Sequence, residues 1–239
     1  MNKVRTVSDT KRDFYTYHAR PINSIYRRVV EELMVEMHLL SVNRDFRPDP
    51  IYHLGVVATF DRFMQGYRPE QDVTSMFSAL CRAIGKDPQQ YRESAERVLE
   101  AARRFPSPED LIQWLKSPQV EPGAEQLAEA VQDIAKNPDF KYSRLFGSGL
   151  YVLLETVDPQ AVNEEQRRNE LLTELAIALN LSGEKLKKDL EFYRSNLEKL
   201  DQLLLVLQDA LEAGRKKREQ PVAEPSEPIN PGHSNGEAS

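Results

Sequence analysis

The chain has 239 residues, a net charge of −6 at neutral pH and a single cysteine, Cys81. One cysteine excludes an internal disulfide, and within the apolar run MFSALCRAIG it is expected to be a small buried hydrophobe. The negative charge argues against nucleic acid as the main partner, because that binding needs cations to neutralise phosphates. The apolar runs GLYVLLETV and LLLVL fall short of the ~20 residues that span a bilayer, so a soluble or peripheral protein is expected.

Charge is distributed unevenly at the start of the chain. The cations of the first 28 residues outnumber the carboxylates Asp9 and Asp13; they are Lys3, Arg5, Lys11, Arg12, Arg20, Arg27 and Arg28. Beside Phe14, Tyr15 and Tyr17, such a segment suits an anionic membrane surface or an acidic protein patch. It equally suits a solvated helix entry whose arginines pair with Glu31, Glu32 and Asp61.

Apolar residues at steps of three and four predict an all-α protein. The clearest stripe consists of Ile22, Ile25, Tyr26, Val29, Val30, Leu33, Met34, Met37 and Leu40, with Pro21 as a plausible first-turn residue. The same spacing predicts helices near 10–17, 21–41, 50–65, 72–84, 88–104, 108–116, 122–135, 140–157, 160–180 and 183–217.

Four dipeptides mark helix starts in particular. A side-chain acceptor precedes a proline in Asp49-Pro50, Asp87-Pro88, Ser107-Pro108 and Asp158-Pro159. The acceptor can cap the exposed N–H groups of the first turn, and proline has no N–H to lose there. The four pairs therefore favour an all-helical fold.

A heptad seam runs near the end of the chain. Its members alternate gaps of four and three: Leu186, Leu190, Tyr193, Leu197, Leu200, Leu204, Leu207 and Leu211. The flanking positions lack the complementary charges of a self-specifying homodimer. The seam is expected to pack against a helix of this chain, a different partner or a second copy; within the chain, Leu172, Leu175, Ala176 and Leu179 offer a surface across a Ser182-Gly183 turn.

These patterns divide the chain into three parts. Residues 1–158 are predicted to form a single multi-helix globular domain, and 159–218 a long helical hairpin or coiled-coil extension. Residues 219–239 contain four prolines and no aromatic residue, so they cannot bury enough area to offset ordering entropy. That tail is predicted to be disordered.

The sequence gives little support for an enzymatic function. The histidines His18, His38, His53 and His233 stand in no zinc or di-iron motif, so no metal, cofactor or catalytic residue is expected. Glu32 and Glu36 are interpreted as a solvated acidic face. His53 would be a general base only if it lay beside Asp61, and no nucleophile accompanies it.

The block VSDTKRDFYTYHARPINSIYRRVVEELMVEMHLLSVN followed by DPIYHLGVVATFDRFMQGY closely resembles the signature of the thylakoid formation protein family of cyanobacteria and plastids. The resemblance extends more loosely through SMFSALCRAIGKDPQQYRESA to the helices near residue 200. It implies an auxiliary factor of photosystem II biogenesis and repair, needed for normal levels of the membrane-bound FtsH-type protease. It implies no catalytic residues.

The expected partners are the FtsH-type protease complex and photosystem II components, with peripheral association to the thylakoid membrane and no binding of nucleic acid. Because the family block begins within ten residues of Met1, without a plastid leader, a cyanobacterial protein on the cytoplasmic side is expected.

Exposed arginines and aromatics of the block are the first candidates for partner contact, since such residues are frequent hot spots. The candidates are Arg12, Tyr15, His18, Arg20, Arg27, Arg28, Arg62 and Tyr67. Alternatively, the protein assembles photosystem subunits at the membrane surface through its basic N-terminal segment.

Overall fold

The structure, a computed structural model, describes the backbone of residues 5–219 and the side chains of 5–206 and 209. This part of the chain is helical and holds no strand, which confirms the all-α prediction. Its helices are α1 (Val7–Tyr17), α2 (Ser24–Ser41), α3 (Pro50–Phe63), α4 (Glu70–Ala83), α5 (Pro88–Ala102), α6 (Pro108–Lys116), α7 (Glu125–Lys136), α8 (Arg144–Val157), α9 (Pro159–Asn163), α10 (Glu165–Ala178) and α11 (Gly183–Glu219). None of them is long and apolar enough to cross a membrane.

Cap chemistry places the helix starts where the sequence predicts them. The Asp49 carboxylate accepts hydrogen bonds from the N–H groups of Ile51 and Tyr52, both at 2.9 Å, and α3 begins at the next residue. The caps of α5, α6 and α9 work in the same way. The predicted start of α2 at Pro21 is wrong, because Asn23 supplies the cap and accepts from Ile25 N–H at 3.1 Å.

The centre of the fold is the helix pair α3 and α8, which packs backbone against backbone. A methyl group added to Gly55 of α3 would lie 1.7 Å from the carbonyl oxygen of Leu145, and one added to Gly149 of α8 would lie 2.1 Å from that of Ile51. Both helices are buried along most of their length. Glycine at these two positions is what allows the close approach.

The remaining helices surround this pair. Helix α5 packs on α3, α1 packs on α4, and α10 packs on α6. Cys81 of α4 is fully buried, and burial raises the pKa of its thiol to about 12. It is therefore the small buried hydrophobe that the sequence predicts.

The seam predicted near the end of the chain begins inside α11. Leu186, Leu190 and Tyr193 are buried, and the Tyr193 ring lies 5.8 Å from that of Phe63 in α3. The turn from α10 holds Asn180 in the left-handed region, at φ 52°. This part of the seam packs within the chain, as one of the three alternatives predicted.

The chain divides into one compact unit that ends at Glu198 and another that begins at Lys199. The first extends forty residues beyond the boundary that the sequence placed at 158, because α10 and the start of α11 belong to its core. In the second unit Leu203, Leu205 and Val206 are exposed. A coiled coil through Leu207 and Leu211 stays a prediction, and the predicted tail lies beyond the described residues after Glu219.

Candidate interaction surface

An exposed surface of paired charges is formed by α1 and α2. We call it the α1–α2 face and define it by Lys11, Tyr15, Arg27, Arg28 and Glu31. The Tyr15 hydroxyl donates to a Glu31 carboxylate oxygen at 2.9 Å, and Lys11 Nζ lies 2.9 Å from the same oxygen. Hydrogen bonding from Lys11 is the largest cause that lowers the Glu31 pKa, whereas burial and the bond to Glu31 raise the pKa of Tyr15 to about 12.

Two arginines on this face are open to solvent. The Arg28 side chain is 84% exposed, although its Nε lies 2.9 Å from Glu32 one turn further along α2. Arg27 is also exposed, and its charge lowers the pKa of Glu31. Exposed i,i+4 ion pairs are weak, so Arg28 is free to exchange Glu32 for a carboxylate of a partner.

Arg12 and Arg20 have different surroundings. Arg12 is exposed and lies within 3.1 Å of Asp9 and 3.7 Å of Asp13, both on α1. Arg20, in the connection between α1 and α2, reaches the buried carboxylate of Asp72 in α4 at 2.7 Å. Arg12 therefore stays available to a partner, whereas Arg20 attaches the connection to the core.

The expectation of an exposed side chain is wrong for His18 and Tyr67. His18 is 1% exposed, and its Nδ1 lies 2.9 Å from the Ser75 hydroxyl of α4. The buried side of α1, formed by Thr10 and Phe14, continues one turn later at His18. Tyr67 is 4% exposed and packs its ring 4.9 Å from Tyr26.

Arg62 is half-buried between helices. It pairs with Glu155 of α8, its guanidinium carbon lies 5.9 Å from the centre of the Tyr151 ring, and a nitrogen lies 3.4 Å from the Tyr193 hydroxyl. These contacts join α3, α8 and α11. Of the predicted candidates, Tyr15, Arg27 and Arg28 thus lie on the α1–α2 face, and Arg12 is exposed on α1 beside Asp9 and Asp13.

The histidine considered as a general base does not meet its predicted partner. His53 is buried in α3, its Nδ1 lies 3.1 Å from the Ser94 hydroxyl, and its ring lies 4.2 Å from that of Tyr91. Burial lowers its pKa to about 4. Asp61 instead binds Arg92 through both carboxylate oxygens, at 2.5 and 2.8 Å.

Of the two glutamates predicted to form a solvated acidic face, only one is exposed. Glu32 is exposed, but Glu36 is half-buried and binds Arg144 of α8 at 2.9 Å, and burial raises the Glu36 pKa. His38 is buried and lies 2.8 Å from the Thr10 hydroxyl. Within residues 5–206 no three His, Cys, Asp or Glu side chains converge as metal ligands.

A groove of 940 Å³ adjoins the α1–α2 face. We call it the α2–α11 groove, because α2 forms one wall while the start of α8 and the first turns of α11 form the other. Arg27 and Arg28 lie on its α2 wall, together with Val35 and Leu39, and Phe192 lies opposite. Val35, Leu39 and Phe192 were not predicted as site residues. The sequence signal for the first two is that they are apolar, lie one turn apart and stand outside the main stripe of α2.

The fold and this surface define a helical protein whose exposed Arg27 and Arg28 line an open groove, with the half-buried Tyr15 on the adjoining face. This arrangement is typical of proteins that bind other macromolecules. Residues 6–221 match the family model described as thylakoid formation protein. The chain belongs to that family, as the sequence resemblance implied, and a role connected with thylakoid formation follows at the level of the family.

Cyanobacterial relatives extend the match over nearly the whole chain. Protein Thf1 of Nostoc punctiforme is 57% identical over 235 residues, which cover 98% of this chain and 100% of the relative. Protein Thf1 of Rippkaea orientalis is 58% identical over 220 residues, covering 92% and 93%. A structure of Psb29 solved at 1.55 Å is similar with a TM-score of 0.78 and 44% identity, over 90% of this chain and all of that one.

Proposed function

We propose that this protein is a non-enzymatic auxiliary factor of thylakoid and photosystem II biogenesis and repair. It promotes the accumulation of the membrane-bound FtsH-type protease complex by binding it directly, from the cytoplasmic side of a cyanobacterial thylakoid. Photosystem II components are further partners. Membership of the thylakoid formation protein family carries the proposal.

The α1–α2 face supports direct binding. Arginine and tyrosine are frequent hot spots of protein interfaces, and this face holds the exposed Arg27 and Arg28 and the half-buried Tyr15, while the exposed Arg12 also lies on α1. Their ion pairs are mostly exposed, so exchange for carboxylates of a partner costs little.

Binding alone can raise the amount of a protease complex. A factor that binds the assembled complex but not its free subunits shifts the equilibrium towards assembly by RT ln(1 + [L]/Kd), with [L] the free concentration of the factor. At a free concentration of a hundred times Kd this amounts to about 2.7 kcal/mol. No bond is made or broken, so the proposal requires no catalytic residue.

An affinity pull-down from detergent-solubilised thylakoids, read by mass spectrometry, tests the proposal. The wild-type chain is expected to enrich FtsH-type subunits, and Arg27→Ala/Arg28→Ala is expected to lose them. The matched control is Arg97→Ala/Arg103→Ala, which removes two exposed arginines from α5 and its end. Equal enrichment by all three chains, or none by wild type, would contradict direct binding through this face.

The membrane-surface alternative relies on the basic N-terminal segment. Among its described cations, Arg5 pairs with Asp13, Arg12 with Asp9 and Asp13, and Lys11 with Glu31. These carboxylates reduce the attraction of the segment to anionic lipid. The alternative predicts binding to anionic vesicles that weakens steeply with salt and is lost when Lys3, Arg5, Lys11 and Arg12 become Gln.

A further inference from the structure

Helix α2 has a second apolar stripe that the core does not use. The apolar residues that α2 buries in the core are Tyr26, Val30, Leu33, Met34 and Met37. On another side Val35 and Leu39, one turn apart, are 37% and 56% exposed, and Val42 continues the stripe just beyond the helix. Exposed apolar residues that cluster, rather than occur singly, mark interaction sites.

The facing wall adds one aromatic side chain to the groove. Lys185, Asp189 and Phe192 follow one another at i, i+4 and i+7 on α11 and line the same groove as Val35 and Leu39. Phe192 is 51% exposed. Arg144 supports it, because its guanidinium carbon lies 5.5 Å from the ring centre while the guanidinium is bound to Glu36.

The two ends of the groove differ in charge. The N-terminal end of α2 carries Arg27 and Arg28, with Lys11 of α1 beside them, against the carboxylates Glu31 and Glu32. The positive end of the α2 dipole adds to this excess. Towards the C-terminal end of α2 the wall is apolar, at Val35 and Leu39. The lining also holds the paired Glu36 and Arg144 and the opposite charges of Lys185 and Asp189, which add no net charge. A complementary ligand is acidic at one end and presents an apolar stripe to Val35, Leu39 and Phe192.

We propose that the α2–α11 groove binds an amphipathic helix of a partner protein, with an apolar stripe against Val35, Leu39 and Phe192 and acidic residues beside Arg27 and Arg28. An 18-residue helix such as α2 is about 27 Å long, enough to hold several turns of a bound helix. A groove between two helices is concave, whereas a bilayer surface is flat on this scale, so the shape favours a helix over lipid. The proposal goes beyond the proposed function, because it holds whichever protein supplies the helix.

Site-specific photo-crosslinking tests the occupant. The full chain with p-benzoylphenylalanine in place of Leu39 is irradiated in solubilised thylakoids, and crosslinked peptides are sequenced by mass spectrometry. The control carries the same group in place of Ile177, an apolar residue of α10 that is 71% exposed and does not line the groove. The expected product is specific to Leu39 and contains a segment with apolar residues at steps of three and four and acidic residues at one end.

A synthetic peptide with the sequence of that segment then tests the geometry by fluorescence anisotropy. Leu39→Ser and Phe192→Ser are each expected to weaken its binding at least about tenfold, and Ile177→Ser to leave it unchanged. Arg27→Glu/Arg28→Glu should weaken binding, and a peptide whose acidic end is changed to Lys should recover it on that variant. Circular dichroism checks that each variant remains folded.

Several outcomes would overturn the proposal. One is a Leu39 crosslink to lipid, to a second copy of this chain or to a segment without the expected pattern. Another is the absence of any crosslinked peptide at Leu39 above the level of the Ile177 control. Failure of the proposed function is a separate result, because the groove can bind a helix of a protein other than the protease. Conversely, FtsH-type subunits enriched equally by the wild-type and Leu39→Ser chains would support the proposed function even where no specific Leu39 crosslink formed and the groove proposal failed.

Discussion

The α3 and α8 pair and the α1–α2 face represent opposite uses of a helix surface. In the pair, Gly55 and Gly149 bring two backbones together and most side chains are buried. On the face, charged side chains such as Lys11 and Arg28 form ion pairs that remain in water. One added methyl group disrupts the close packing of α3 against α8. The exposed ion pairs of the α1–α2 face contribute little to stability, so the fold tolerates loss of one of their side chains. The comparison indicates that mutations of the pair affect folding and mutations of the face affect binding.

The largest expected effect comes from Gly149→Ala. Its methyl group would overlap the backbone of Ile51, which no side-chain rotation can relieve, so the helices must separate. We expect a loss of about 3 kcal/mol in the free energy of unfolding, measured by urea denaturation. The control is Gly183→Ala, whose methyl group would meet Ala176 at an ordinary 3.6 Å. Equal stabilities of the two variants would refute close packing of this pair.

The core is also expected to be sensitive to acid through His53. Its pKa of about 4 in the folded protein lies below the ordinary value of 6.5, so the unfolded chain binds the proton more tightly. The contribution of neutral His53 to stability is therefore present above pH 6.5 and is lost as the pH falls towards 4. Between pH 7 and 5 this amounts to about 2 kcal/mol.

The measurement is the free energy of unfolding against pH for wild type and His53→Gln. The difference isolates His53 from other groups, including Glu36, whose raised pKa has the opposite effect on stability. The wild-type curve should fall more steeply than that of the variant over this range. Parallel curves would mean that burial does not hold His53 neutral.

The smallest effect is expected from Arg28→Ala on the α1–α2 face. An exposed i,i+4 ion pair contributes about 0.5 kcal/mol or less, so urea denaturation should barely distinguish the variant from wild type. Arg20→Ala is the informative comparison, because it leaves the buried Asp72 carboxylate without its ion pair and should cost more. If both variants lost the same stability, the division between binding arginines and structural arginines would be wrong.

Local signals fixed much of the fold. Helices α3, α5 and α6 begin at the predicted residues, since an acceptor followed by proline defines a start without help from the rest of the chain. The predicted helix 160–180 is instead divided into α9 and α10 at Glu164, which has extended backbone. The sequence offers no breaker such as glycine or proline at that position, so the division could not be read from it.

The candidate surface was predictable only in part. Arg12, Arg27 and Arg28 are exposed as expected, because cations on the polar side of an amphipathic helix remain in water. His18 and Tyr67 are buried, since α4 and Tyr26 respectively cover them. The groove was missed because Val35 and Leu39 acquire a facing wall only from Phe192, more than 150 residues later in the chain.

By itself the sequence determined the helical class, the caps, the single buried thiol and the family, because each depends on residues close together in the chain. The tertiary structure decided which side of each helix is covered. An amphipathic pattern tells apolar from polar sides but does not say which neighbour arrives, and α2 has apolar residues on two sides, of which the core buries one. Contacts between distant parts of the chain supply that choice.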